Sequence, residues 1–136
     1  MGHLRFLAFY LITGLAAAAT HVFMEPGSQV PIVGASGAIS GIMGAYIVLY
    51  PHARVKVWTG FMFWMPWWPA WLILGEWFLL QALSAGAGDA EGVAVWAHVG
   101  GFIAGAVLVK LFVRRDLVAA KRAGVKLDEV EHGGWW

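Results

Sequence analysis

The sequence contains no cysteine, which excludes disulfides, thiolate metal sites and a cysteine nucleophile. It is also poor in charge: Asp, Glu, Lys and Arg make up 12% of its 136 residues, against 60% hydrophobic residues, and mean hydropathy is +0.70. Those proportions exclude an ordinary soluble domain, and the length allows one domain at most. No metal-ligand spacing, phosphate-cradling loop or nucleic-acid patch occurs, so neither cofactor nor nucleic acid is implied.

What fills the chain is apolar runs near the ~20 residues that cross ~30 Å of hydrocarbon. The first is Phe6 to Met24 and the second Val33 to Tyr50. The third, Trp58 to Leu83, is over-long, and the fourth is Val93 to Val113. Pro66 and Pro69 divide the third into an aromatic lead-in, matching the interfacial belt that indole rings favour, and a cleaner helix from about Pro69. The turn-rich Glu25 to Gln29 separates the first two runs, and the small-residue loop Ser84 to Gly92 carries Asp89 and Glu91 as solvated charges. The expected architecture is an all-α, polytopic helical membrane bundle of four transmembrane helices over residues 1–115, followed by a charged, frayed amphipathic tail at 116–136.

Basic residues orient it. Arg5, Arg54, Lys56, Lys110, Arg114, Arg115, Lys121, Arg122 and Lys126 all precede run one, separate runs two and three, or fall at the end of run four and beyond. With four spans these positions share one side, whereas the two opposite loops hold Glu25, Asp89 and Glu91 and no basic residue. The positive-inside rule makes both termini cytoplasmic, with the plasma (inner cell) membrane as the expected location. Runs two and four then enter from the outer side, which puts Ser36 and His98 at similar shallow depth.

Run two opens with four glycines and two serines between Gly34 and Gly44. Serine becomes a useful nucleophile when a base takes its proton, and neutral imidazole is the usual base. Of the histidines only His21 and His98 sit within runs, and a polar ring in hydrocarbon needs a partner. Ala97, Gly101 and Gly105 frame His98, and Gly37, Gly41 and Gly44 form a matching stripe in run two. Such faces let membrane helices approach through backbone contact. In isolation a glycine stripe means packing and no more. Ser40 reads as a contact residue, and His21, near an outer helix end, as a hydrated side chain. Glu76 reads as a protonated or hydrogen-bonded acid facing a wet cavity, with a role orienting His98 as the sharper alternative.

Gly34-Ala35-Ser36-Gly37 resembles the Gly-x-Ser-Gly signature of rhomboid intramembrane serine proteases. Ala97-His98-Val99-Gly100-Gly101, continuing to Gly105, resembles that family's Ala-His-x-x-Gly-x-x-x-Gly helix. The resemblance covers about Arg5 to Arg114. It implies the helical rhomboid bundle and hydrolysis of a peptide bond in or beside a substrate's transmembrane segment, near the outer face. The implied catalytic residues are Ser36 and His98, working as a dyad without an acid. The implied oxyanion donors are backbone groups at Ser36 and Ala35, and Gly34, Gly37, Gly41, Gly101 and Gly105 pack the helices around the site. The implied partners are transmembrane protein substrates and the lipid bilayer.

Two departures accompany the match. The family's oxyanion hole also takes His and Asn side chains from a span preceding the region that matches run one, where this sequence has Met1 to Leu4. The chain thus resembles the C-terminal four helices of a six-helix core, and its activity as it stands is an open expectation. Ser40 also stands where the family commonly places an aromatic residue against the catalytic histidine. The alternatives are a rhomboid-like protein that binds transmembrane helices without cleaving them and, more weakly, a transporter or channel fragment.

Overall fold

The computed structural model describes residues 1–29, 35–56, 67–87 and 94–124. The chain is mostly helical: α1 is His3–Met24, α2 is Ser36–Leu49, α3 is Ala70–Ala87, α4 is Val95–Phe112 and α5 is Arg115–Arg122. Two three-residue strands, β1 (Arg54–Lys56) and β2 (Trp67–Pro69), pair antiparallel with Val55 opposite Trp68. The bundle is therefore not purely helical. The end of the third apolar run's aromatic lead-in, Trp67 to Pro69, is a strand, and the helix begins at Ala70. Aromatic residues suit a pleated strand as well as a membrane interface, so composition alone does not separate the two. Residues 57–66, with the rest of that lead-in, lie outside the described residues, as do Gly34, Asp89, Glu91 and the tail beyond Gly124.

Three helices, α1, α3 and α4, are long and apolar enough to cross a membrane. The fourth expected span, α2, is shorter: its 14 residues rise about 21 Å. Three of them are glycine, a residue that costs a helix roughly 1 kcal/mol relative to alanine, so packing rather than propensity must hold α2. It is enclosed by α1 and α4, and the α2–α4 interface is the most extensive in the bundle. Gly37 faces Ala97 and Gly101, and Gly41 faces Gly105, so α2 and α4 run parallel. Gly37 also meets Ala17 of α1, and Gly41 meets Thr13, so α1 runs antiparallel to both. Outward stripes such as Leu4, Leu7, Leu11 and Leu15 on α1 and Ile103, Val107 and Leu111 on α4 remain exposed, as lipid-facing positions should be.

One end of the bundle collects the basic groups. Phe9, Ala45 and Val109 cluster there, α1 begins and α2 and α4 finish there, and the β1–β2 pair leads into α3 there. The short α5, built from Arg, Lys and Asp around one buried leucine, Leu117, folds back on this end. The Arg122 guanidinium donates to the final-turn Leu49 carbonyl from Nε at 3.0 Å and from a terminal nitrogen at 2.6 Å, capping α2. Thus the first residues of the expected frayed tail, through Gly124, are ordered helix and turn.

Candidate active site

At the opposite end, Ser36 is the first residue of α2 and is exposed. Ala35 precedes it as the cap, and the Ala35 carbonyl accepts the Ile39 N–H at 2.9 Å. The N–H groups of Ser36, Gly37 and Ala38 belong to the helix's first turn, which has no earlier carbonyl to meet them. Among the described residues no side chain caps this helix start. A hydroxyl, N–H donors without a partner inside the helix and the positive end of the helix dipole therefore occupy one small region.

His98 lies in the first turn of α4 and is half-buried. Its neighbours Ala97 and Gly101 face Gly37, so Ser36 and His98 stand at one level of two parallel helices. Ser40 fixes the rotation of α2: its Oγ, fully buried, donates to the His98 carbonyl at 2.5 Å. Ser36 is one turn before Ser40 and shares its face, so it sits above the point where α2 meets His98. Among the described residues no hydrogen bond joins Ser36 to the His98 ring.

The other flank of His98 is built by α3. Trp77, Phe78, Gln81, Ala82 and Ala85 recur at helical spacing on the face turned to α4, where Ala85 packs with Val95 and Val99. The Trp77 ring lies 5.8 Å from the imidazole, tilted by 45°, and Phe78 stacks on Phe102 at 4.5 Å. A ring thus stands beside His98 although position 40 is serine. The Gln81 side-chain oxygen lies 2.8 Å from His98 Nδ1. Sequence reasoning passed over both residues. The available signal was Gln81 itself, a lone amide within an apolar run, which needs a partner as a histidine does.

Two readings are corrected. Glu76 is exposed and off the α4-facing side of α3, so the group beside the imidazole is an amide rather than this carboxylate. His21 is buried rather than surface-exposed: it is 2% exposed, and among the described residues neither ring nitrogen has a hydrogen-bond partner. The cause is spacing, since Phe9, Thr13, Ala17 and His21 recur every four residues along the buried face of α1. Among the described residues, no group of three or more His, Asp or Glu is placed to hold a metal ion.

The fold and this helix start define a helical integral membrane protein with a serine and a histidine on adjoining helices. A family profile described as the Rhomboid domain matches residues 1–115. The chain belongs to the rhomboid family, whose members are in general intramembrane serine proteases. No curated protein and no solved structure matches it.

Proposed function

We propose that the protein is an intramembrane serine endopeptidase that cleaves transmembrane segments of other membrane proteins near the outer face, with Ser36 as nucleophile and His98 as general base. The observation that carries this reading is the Ser40–His98 hydrogen bond, because it turns the serine-bearing face of α2 toward the helix that bears the imidazole. In the reaction, Ser36 Oγ attacks the scissile carbonyl while His98 Nε2 takes its proton. The C–N bond then breaks as the same imidazole returns that proton to the departing amine, and water hydrolyses the resulting ester by the reverse use of the base. The oxyanion is held by the Ser36 N–H, with the Ala35 backbone beside it, at a helix start that favours negative charge. Gly37, Gly41, Gly101 and Gly105 hold the two helices close enough for this to occur. An apo hydroxyl and imidazole without a mutual hydrogen bond are compatible with the role, since catalytic contacts tighten on substrate binding.

In this reading α2 is the fourth span. A 21 Å helix is shorter than the ~30 Å hydrocarbon core, so its start lies below the surface. Hydrolysis needs water at that depth, and a recess lined by protein can hold it. The basic end of the bundle faces the cytoplasm with both termini, in the plasma membrane, and the serine end faces outward. The substrates are transmembrane proteins, and the dyad as written uses no cofactor.

The test is fluorophosphonate labelling and cleavage of a transmembrane peptide by the full chain in bilayers. Ser36→Ala and His98→Ala are each expected to remove about 10³-fold or more of the rate, with Ser40→Ala far milder. Equal labelling of the parent and Ser36→Ala would overturn the proposal. Peptide binding without labelling of the parent would mean a helix-binding protein instead.

A further inference from the structure

We infer that Gln81 is the positioning residue of the candidate dyad: its side-chain carbonyl accepts the Nδ1–H of His98, and so keeps Nε2 unprotonated and aimed at Ser36. The inference rests on the reading of His98 as the base. Gln81 Oε1 lies 2.8 Å from Nδ1, and among the described residues this is the ring's one hydrogen bond. A neutral imidazole carries one N–H, so an acceptor at Nδ1 commits that proton there and leaves the Nε2 lone pair free. The position is held from both sides. Trp77, one turn earlier on α3, lies against the same ring, and Ala82 and Ala85 pack this face of α3 onto α4 next to Val95 and Val99.

An amide suits the location better than the carboxylate that orients histidine in many soluble serine hydrolases. An ionised acid at membrane depth would need its own compensation, although in either protonation state it keeps an oxygen that can accept from Nδ1–H. A glutamine carbonyl accepts at every pH and adds no charge to desolvate. The cost is a weaker hold, since hydrogen bonds between neutral groups are about half as strong as charge-assisted ones.

Three full-chain proteins in bilayers test the assignment: the parent, Gln81→Met and Gln81→Glu. Methionine keeps the length and volume and offers Nδ1–H only a weak thioether acceptor, whereas glutamate restores a strong oxygen acceptor. The fluorophosphonate labelling rate is expected to fall roughly 10–100-fold in Gln81→Met, a part of the ~10²–10⁴ that a positioned base supplies, and to recover at least tenfold in Gln81→Glu. The ¹⁵N shifts of the His98 ring are expected to show the Nδ1–H tautomer in the parent and to lose it in Gln81→Met. Labelling of Gln81→Met at the parent rate, Gln81→Glu no faster than Gln81→Met, or a parent ring protonated at Nε2 would each overturn the assignment. The tautomer measured on the parent decides the matter even where Gln81→Met fails to fold. If His98→Ala labels like the parent, the dyad reading fails, and the ring spectrum still reports whether Gln81 holds the proton.

Discussion

Two seams meet at α4, and they are made differently. The α2–α4 seam is backbone on backbone: the Gly37 and Gly41 carbonyls lie against the α-carbons of Gly101 and Gly105, and the Phe102 carbonyl lies against Gly44. Close Cα–H···O approach of this kind fixes separation and register tightly, because nothing at the contact can rotate away. The α3–α4 seam is side chain on side chain, through Trp77, Phe78, Phe102, Gln81 and His98. Rings and an amide can shift by rotamer changes. The rigid seam carries Ser36, and the adaptable one supports the His98 imidazole proposed to work with it. The proposed dyad is thus divided between a fixed member and an adjustable one.

The largest expected effect breaks the rigid seam. A Cβ at Gly105 would meet the carbonyl, carbonyl carbon and Cα of Gly41, all backbone, so Gly105→Ala must push α2 from α4. Overpacking of this kind costs about 1–3 kcal/mol, occasionally more. It also displaces Ser36 from His98, so thermal stability and labelling are expected to fall together. Gly75 on α3 is the control. A Cβ there has nothing within 4 Å, and Gly75→Ala is expected to leave labelling intact and to raise stability by up to about 1 kcal/mol. Similar melting losses in the two variants would show that the α2–α4 seam is no tighter than an open helix surface.

Next in size is the adaptable seam. Trp77→Ala removes the ring 5.8 Å from His98 and also the Trp77–Phe102 contact. Aromatic pairs contribute about 0.5–1.5 kcal/mol beyond burial, which is roughly 2- to 12-fold in rate if spent on holding the base. The labelling rate is expected to fall within that range while the melting temperature moves less than in Gly105→Ala. Trp77→Phe is expected to restore most of the loss. A stability loss as large as that of Gly105→Ala, with the rate unchanged, would make Trp77 a scaffold residue.

The contrast explains what was legible beforehand. Small residues four apart on two runs can be read directly, because a glycine stripe has few uses in a membrane helix other than close approach. Basic residues gathered at one end can be read for a similar reason: charge is scarce here, so its placement carries information. The adaptable seam leaves no such pattern. Trp77 is one of nine tryptophans, and Gln81 gains meaning when the rotation of α3 is known. That rotation depends on where the helix starts, and the start depends on Trp67 to Pro69 pairing with Arg54 to Lys56 across a long gap in sequence. Glu76 drew attention because it is charged, yet it lies five residues from Gln81, about 140° around the helix.

The smallest effect concerns a residue on neither seam's catalytic side. His21 is buried near the C-terminal end of α1, and among the described residues both its ring nitrogens are unpartnered. A polar group buried without a partner costs about 1–3 kcal/mol, and an apolar replacement of similar size avoids that cost. His21→Leu is therefore expected to raise the melting temperature slightly or leave it unchanged, with labelling within about twofold of the parent. Thr20 and Ala17, which press against Gly100 and Gly101, would stay in place and hold α1 on α4. A drop in labelling approaching that of His98→Ala, with the fold intact, would place the His21 ring in the working site. It would also move α1 from the scaffold to the side of the molecule that handles protons.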